Sequence, residues 1–443
     1  MTLTFKKIRT IILLLIVLLV SVSSSAQKVF MSLDSLLTFV SLKSTTLQSG
    51  EIKLIQAKKA KLAAIVSIID PTINLSYAFT DNTTLPTSLF PSETFGGAAG
   101  TYKEVRMGIQ YNSNLTNYNE IKLLNLPGWA NFKLSKLNID LTENNNKMTQ
   151  KSYFENIAGI YFNIVNLQEQ VKSAQKNLLI ADTLMKIADH KFQNGQVNQQ
   201  DVNSITGNFM QVKETVNQLN FLLENQYLSL KALIDIPETV TILIKQDIEP
   251  TKVEQNPEVE FNDMQLKSSL LQEKSALTSL NQSKSMTLPT ISVFNTNTTQ
   301  QYNTQAQLYS KDLNWYQNSN IGVKVSFKLP TANNISQTSK ARYDYKLARN
   351  NSEHLRNKTE IEHLQLHVDF RKAVSQWTTN TQISELQEDT YNKNKNLYAQ
   401  GLLSLDQTLN SYNSMISSNY NRISSAITVL LVQSKIAINN NVR

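Results

Sequence analysis

The sequence contains no cysteine in its 443 residues. Disulfides, thiol catalysis, cysteine-bound metals and a lipid-modified N-terminal cysteine are therefore all excluded. Long apolar runs are almost as scarce, because only the segment from Ile11 to Val20 is continuously apolar. It is about half as long as the roughly 20 residues that a membrane-spanning helix needs. Any later membrane crossing would have to be made by β-strands, which have a much weaker hydropathy signal.

The first residues have the pattern of a secretory signal. Lys6, Lys7 and Arg9 precede the apolar run, and the small residues Ser24-Ser25-Ala26 follow it. We therefore expect residues 1–26 to be a signal peptide cleaved before Gln27; a retained anchor is the alternative. Removing the three cations lowers the formal net charge from +8 to +5, which over so long a chain indicates no nucleic-acid surface.

Proline and glycine are sparse over two long stretches. The nine prolines lie at 71, 86, 91, 127, 237, 250, 257, 289 and 330. Residues 128–236, and 331 to the C-terminus, are therefore free of proline, and Gly401 is the only glycine of the second stretch. Because proline breaks helix interiors, both stretches can form very long helices.

Apolar residues in the first stretch follow one another at intervals of three or four, as in a coiled-coil seam. The seam comprises Ile157, Ile160, Ile164, Leu167, Val171, Ala174, Leu178, Ala181, Leu184 and Ala188. A helix over 131–191 would be about 90 Å long at 1.5 Å per residue. Each stretch has one interruption, at Gly195 and at Gly401, with an aromatic residue three positions earlier. Glycine suits the left-handed turn that ends a helix, so each stretch is predicted to be a helical hairpin.

Similar features recur at a nearly constant offset, which indicates a duplicated unit. Gly195 and Gly401 are 206 residues apart, and Pro127 and Pro330 are 203 apart. The first repeat is placed at 27–236, with strands at about 71–80 and 103–112 and a helical hairpin at about 130–235. A linker or equatorial segment follows at 237–257. The second repeat is placed at 258–443, with strands at about 289–299 and 319–329 and a hairpin at about 333–438.

The predicted strands alternate between apolar and mostly polar residues, as half-buried strands do. We expect Tyr77, Phe79, Val325 and Phe327 to face lipid and Ser76 and Lys324 to face a water-filled lumen. A closed transmembrane barrel needs at least about eight strands, and one chain offers four. Three chains would supply a 12-strand barrel and a 12-helix periplasmic cylinder, so a mainly helical homotrimer with a β-barrel is expected. A soluble sandwich is the alternative, but it requires more strands than these.

Over essentially the whole mature chain, this plan resembles the TolC family of outer-membrane efflux and secretion channels. The residues that carry the resemblance are Pro71 and Pro289 at helix-to-strand junctions, Phe192-x-x-Gly195-x-x-x-x-x-Asp201-Val202, and in part Tyr398-x-x-Gly401-x-x-Ser404-Leu405. The resemblance implies a trimeric exit duct in the outer membrane, with a periplasmic helical domain and no cofactor. It also implies two partners, a periplasmic adaptor and an inner-membrane pump of the RND or ABC class.

The resemblance further implies an aperture at the hairpin ends. In the family, an aspartate six positions after the first glycine can bond to the aromatic hydroxyl that precedes the second; here these are Asp201 and Tyr398. The family's best-known members also place two carboxylates six and nine positions after the second glycine, as acidic rings selective for cations. This chain has Gln407 and Asn410 there, with Asp406 one position early.

Other function classes have less support in the sequence. His363 and His367 have a spacing that suits a metal, but no carboxylate follows in the metalloprotease pattern, which favours solvated helix residues. No nucleophile elbow, phosphate loop or paired-carboxylate pattern appears, so an enzyme is not predicted. A secreted or periplasmic coiled-coil structural or adaptor protein is the remaining alternative. Adaptors, however, usually carry one hairpin flanked by glycine-rich β-domains.

Overall fold

The computed structural model describes residues 27–246, 248 and 257–442. The expected signal peptide at 1–26, and most of the segment 247–256, lie outside the described residues. The chain divides into two compact units. The first contains Met1–Ile52, Asn144–Lys267 and His354–Arg443, and the second contains Lys53–Glu143 and Ser268–Glu353.

The protein is mainly helical, as expected from the scarcity of proline and glycine. The helices are α1 (Leu33–Lys43), α2 (Thr45–Ile69), α3 (Leu126–Gln193), α4 (Gln199–Leu233), α5 (Met264–Ser285), α6 (Ala332–Ala399) and α7 (Leu405–Asn441). Both α3 and α6 contain 68 residues, several times the average length in globular proteins. Within the described residues, none of these helices has the length and apolar character needed to cross a membrane.

The first unit has two strands of four residues, and the second has two strands of five residues and four of ten or more. They are β1 (Gln27–Phe30), β2 (Thr72–Asp81), β3 (Thr87–Pro91), β4 (Tyr102–Arg106), β5 (Tyr111–Leu124), β6 (Thr241–Ile244), β7 (Thr290–Asn303) and β8 (Tyr316–Ser326). Strands β1 and β6 pair in parallel, with Val29 opposite Leu243. This pair places β6 inside the segment 237–257, which was predicted to be a linker or equatorial segment.

The core of the first unit is the apolar seam of α3. Ile157, Ile164 and Ala188 are fully buried, and Leu184 is 1% exposed, so the spacing of three and four predicted the buried face of this helix correctly. Around the first part of the seam lie apolar residues of α1, β6 and α7, among them Leu36 and Ile427. Further along, the seam packs against residues of α4, α6 and α7.

In the second unit, the start of α3 packs closely against α2, and this close approach requires a glycine. A Cβ atom on Gly128 would lie 2.3 Å from the carbonyl oxygen of Ser67 and 2.5 Å from Nδ2 of Asn125. The Asn125 amide instead donates to Ser67 O at 2.9 Å and accepts from Gly128 N at 3.2 Å. Because no larger residue fits beside the Ser67 carbonyl, Gly128 marks the contact between these two helices.

The second unit also contains a four-stranded antiparallel sheet in the order β2-β5-β7-β8. Ser113 of β5 lies opposite Phe79 of β2 and Gln301 of β7, which fixes the register of three strands. Strands β2 and β8 are the two edges. Strand β8 ends at Ser326, so Phe327 lies one residue beyond the strand that was predicted to include it, and its lipid-facing orientation stays a prediction.

The prediction of a single strand at about 103–112 is wrong. The structure has two separate strands there, because β4 ends at Arg106 and β5 begins at Tyr111. Gly108 lies between them with a φ of 124°, a conformation that interrupts the alternation. Strand β4 pairs with β3 in a two-stranded sheet of its own, whereas β5 belongs to the four-stranded sheet. The apolar alternation of this segment therefore came from two different strands.

Candidate functional site at the hairpin turns and the sheet

The two turns that join the long helices have the same hydrogen bonds. Gly195 N donates to Phe192 O at 2.9 Å, and the next amide donates to Lys191 O at 2.8 Å. Gly401 N donates to Tyr398 O at 3.0 Å, and the next amide donates to Leu397 O at 2.9 Å. Both glycines have positive φ, 66° and 78°. The aromatic residue and the glycine therefore act together, as the acceptor and the left-handed residue of a helix-ending turn.

The helix that follows each turn begins with an equivalent cap. Asn198 caps α4: its side chain accepts from Asp201 N at 2.8 Å, while the Asp201 carboxylate accepts from Asn198 N at 3.3 Å. Ser404 caps α7: its hydroxyl accepts from Gln407 N at 3.3 Å and lies 3.2 Å from Oε1 of Gln407. Asp201 and Gln407 thus occupy the same third position of the two helices and help to hold their first turns.

Tyr398 lies in a buried cluster with residues of α3, α4 and α7. The residue is 3% exposed, yet its hydroxyl has no hydrogen-bond partner in the structure. Burial, and second to it the negative charge of Asp201, raise the pKa of Tyr398. The ammonium of Lys191 lies 5.2 Å from the centre of the Tyr398 ring. The tyrosine therefore stays protonated and contacts its cationic neighbour through the ring face.

The structure does not show the predicted hydrogen bond between Tyr398 and Asp201. The Asp201 carboxylate instead accepts from the backbone amide of Asn198, as part of the helix cap. The two residues are still close enough for the carboxylate charge to affect the tyrosine pKa. The structure thus places the two members of the predicted tether near each other without the bond between them.

The three residues considered for acidic rings lie together at the start of α7. Asp406, Gln407 and Asn410 are all exposed. Asp406 lies in the first turn of the helix, where a negative charge interacts favourably with the helix dipole. Gln407 takes part in the cap described above. These positions carry one carboxylate per chain.

Two further tyrosines lie in the same buried cluster and were not predicted. Tyr391 is 2% exposed, and burial raises its pKa to about 12. Its hydroxyl also lacks a partner, while Tyr412, whose ring centre is 5.4 Å away, donates to the carbonyl of Asn177. The signal in the sequence was the spacing of seven between Tyr391 and Tyr398, which places both on one helix face.

His363 and His367 lie on one face of α6, with ring centres 5.4 Å apart. His363 also contacts the ring of Phe261, 5.6 Å away. Over the part of the chain that the structure describes, no three His, Asp or Glu side chains come together as metal ligands. The pair therefore contributes aromatic packing between α6 and the segment before α5.

Three of the four charged side chains in the four-stranded sheet, Glu120, Lys122 and Lys324, lie on one face. Glu120 accepts from Ser292 Oγ at 2.5 Å, from Lys324 Nζ at 3.3 Å and from the hydroxyl of Tyr118. The register places Lys122 on the same face, opposite Ser292. We call this the charged face; it includes Ser76 and Lys324.

The opposite face of the sheet is apolar along most of β2 and along the second half of β8, whose first half places Gln317 and Ser319 there. Its exposed apolar residues on β2 and β8 are Ile73, Leu75, Tyr77, Phe79, Ile321, Val323 and Val325. We call it the apolar face. Asp81, at the end of β2, is the only charged residue that the described strands place there. Its two central strands carry asparagines, at Asn117, Asn119, Asn295 and Asn297.

This architecture defines the class: the chain has the fold of the TolC type of outer-membrane channels. The solved outer membrane protein VceC from Vibrio cholerae matches with a TM-score of 0.69 at 13% identity, over 92% of this chain and 95% of that one. The channel CusC matches with a TM-score of 0.72 at 12% identity, over 92% and 91% of the two chains. The Campylobacter jejuni outer membrane channel CmeC matches with a TM-score of 0.64 at 15% identity, over 92% and 85%. No protein-family model matches the sequence, and no curated protein matches it.

Proposed function

We propose that this protein is the outer-membrane exit duct of a tripartite efflux or type I secretion system. The observation that carries the proposal is the likeness to solved outer-membrane channels over 92% of the chain. In this role the sheet of the second unit lies in the outer membrane and the hairpin turns lie in the periplasm. A periplasmic adaptor and an inner-membrane RND or ABC pump deliver the substrate at the turns.

The working form is a homotrimer. The sheet of one chain has long edges, β2 with 10 residues and β8 with 11, and each edge exposes unpaired backbone groups and apolar side chains. Open edges of this kind pair with further strands. Pairing β8 of one copy with β2 of the next closes a barrel of about twelve strands from three chains, which exceeds the minimum of about eight.

The hairpin turns form the aperture in this proposal. Gly195 and Gly401 end the helices, and Asp201, Tyr398, Asp406, Gln407 and Asn410 lie at or just after the turns. In a second state of the aperture, the Tyr398 hydroxyl donates to Asp201. This bond gives the buried hydroxyl the partner that it lacks here. Opening and closing of the duct would then exchange the Asn198 cap for this bond.

Fractionation and planar-bilayer recording test the function together. The full chain should be extracted from the outer membrane only by detergent, have the mass of a trimer, and form conducting channels in bilayers. A monomer extracted without detergent, with no conductance, would reject the duct in favour of a coiled-coil structural or adaptor protein.

A further inference from the structure

The segment 304–315, between β7 and β8, is hydrogen-bonded to the sheet through one buried glutamine, Gln301. Gln301 is 1% exposed. Its Nε2 donates to Ser310 O at 2.7 Å and to Leu313 O at 2.9 Å, and its Oε1 accepts from Ser310 N at 2.9 Å. One side chain thus satisfies three backbone groups of the loop, which would otherwise need water.

Two further strands hold the same loop. The hydroxyl of Ser113 on β5 donates to Leu308 O at 2.8 Å, and the hydroxyl of Tyr77 on β2 donates to the same carbonyl. Ser113 is buried. The loop therefore runs back across three strands of the sheet and does not extend freely from its end.

All three anchoring side chains lie on the apolar face. Ser113 is paired with Gln301 in the strand register, and Tyr77 is two residues from Phe79, the partner of Ser113 on β2. Side chains of paired residues, and of residues two apart, share one face of a sheet. The loop consequently covers the face opposite to Glu120 and Lys324.

Gln301 lies about one membrane thickness from the other end of the apolar face. Ile291, at the start of β7, and Gln301 are ten residues apart on the same strand. At about 3.3 Å per residue this is roughly 33 Å along the strand, and a tilt of about 40° reduces the height to about 25 Å. The apolar band of outer-membrane barrels is about 25 Å tall and ends in aromatic residues.

Aromatic side chains concentrate at this height. The Tyr309 and Trp315 rings of the loop stack with centres 6.2 Å apart, and Tyr309 is 59% exposed. Phe79 and Tyr111, at the same end of the sheet, stack with centres 5.9 Å apart. Tyrosine and tryptophan suit the membrane interface because the ring is apolar and its polar atom stays hydrated.

We propose that the loop 304–315 is a strap on the outer wall of the channel, which places Tyr309 and Trp315 in the headgroup region of the outer-leaflet lipid. The proposal rests on the proposed channel function. The strap anchors the sheet at the membrane surface. The asparagines of the central strands share this face, so the opposite orientation would make the same loop a plug inside the lumen; the experiment decides between the two.

Tryptophan fluorescence tests the position of the strap. Trp129→Phe with Trp377→Phe leaves Trp315 as the only tryptophan. In vesicles, phospholipids brominated near the headgroup should quench Trp315 more strongly than lipids brominated near the chain ends, and aqueous acrylamide should quench weakly. Strong acrylamide quenching without bromine quenching, in a protein that still conducts, would overturn the strap and leave the channel intact. Failure to insert and conduct would overturn the channel function itself.

Proteolysis tests whether the Gln301 side chain holds the loop 304–315 against the sheet. Lys311 offers trypsin an exposed cleavage site within the loop. Gln301→Ala removes three hydrogen bonds and should accelerate cleavage there by on the order of a hundredfold, since each bond contributes on the order of a factor of five. Gln300→Ala, at the neighbouring position on the other face, is the matched control and should cleave like the unmodified protein. Equal cleavage rates for both variants would contradict this role of Gln301.

Discussion

The ammonium of Lys191 lies 5.2 Å from the centre of the Tyr398 ring. Lys191 precedes the first turn, and Tyr398 is three positions before the glycine of the second, so the contact joins the two hairpins. Because the Tyr398 hydroxyl has no partner, the ring is held by burial and by this cation, not through its polar atom. Removal of the Tyr398 hydroxyl is therefore expected to break no hydrogen bond in the described conformation.

Replacement of Tyr398 by phenylalanine should stabilise the described conformation by about 1 kcal/mol, because a buried hydroxyl without a partner is removed. Tyr412→Phe is the matched control, since its hydroxyl donates to Asn177 O, and its loss should destabilise by about 1 kcal/mol. Denaturant unfolding of the detergent-solubilised protein measures both changes.

Conductance then tests the proposed bond to Asp201. If that bond holds the aperture closed, Tyr398→Phe should leak more in planar bilayers even though the protein unfolds at higher denaturant. Unchanged conductance together with increased stability would remove Asp201 and Tyr398 from the gating mechanism.

Alanine at either turn glycine should destabilise the protein. Gly401 has a φ of 78°, a region that costs a residue with a Cβ roughly 1–2 kcal/mol. Gly207, in the interior of α4 with open space around its Cβ position, is the control, and Gly207→Ala should stabilise by about 0.5–1 kcal/mol. Thermal unfolding of the two variants should shift in opposite directions; a shift in the same direction would contradict the role of the turn.

Alkaline pH should destabilise the first unit, in which burial raises the pKa of several tyrosines, Tyr391 among them. Burial raises the pKa of Tyr391 from 10.0 to about 12, so between these values the folded state holds a proton that the unfolded state has lost. Stability from this group is complete below pH 10 and falls as the pH rises toward 12. Tyr391→Phe should make the unfolding temperature less dependent on pH over this range. An unchanged pH dependence would contradict the prediction.

The helices and turns could be predicted from the sequence because their signals are local. The apolar spacing around Ile157 and the aromatic-to-glycine interval at Gly195 depend only on neighbouring residues, and both predicted the observed structure. The cap formed by Asn198 and Asp201 follows an equally local pattern, and it competes with the predicted tether for the Asp201 carboxylate. Only the folded chain shows that the cap forms here.

The strands were harder to predict because their pairing is not local. Val105 and Tyr111 alternate as if in one strand, but Gly108 separates them and their partners lie in different sheets. The strap also escaped prediction, because Gln301 differs from the other polar residues of β7 only through its bonds to Ser310 and Leu313.

Cysteine labelling should separate the two faces of the sheet. The chain has no native cysteine, so Val325→Cys on the apolar face and Lys324→Cys on the charged face form a matched pair of neighbours. A membrane-impermeant maleimide should label the residue at 324 rapidly and the one at 325 slowly. Val325 pairs with Ile291 at the end of the apolar face, so Val325→Arg should cost only about 0–1 kcal/mol, the value near the membrane interface. Faster labelling at 325 would reverse the assignment of lipid and lumen.

The neutral residues after the second turn should give weak ion selectivity. Gln407 and Asn410 are exposed where acidic-ring channels carry carboxylates, and Asp406 is the only acid among the three. Three copies of Asp406 supply three charges, each partly offset by the positive end of its own helix. We therefore expect modest cation selectivity in bilayers and weak block by trivalent cations.

Gln407→Glu with Asn410→Asp would add six carboxylates to a trimer and should strengthen both properties. Asp406→Asn should abolish the remaining selectivity at a stability cost of about 0.3–1 kcal/mol from the lost helix-dipole interaction. Strong trivalent block in the unmodified protein that survives Asp406→Asn would place the selective ring elsewhere in the chain.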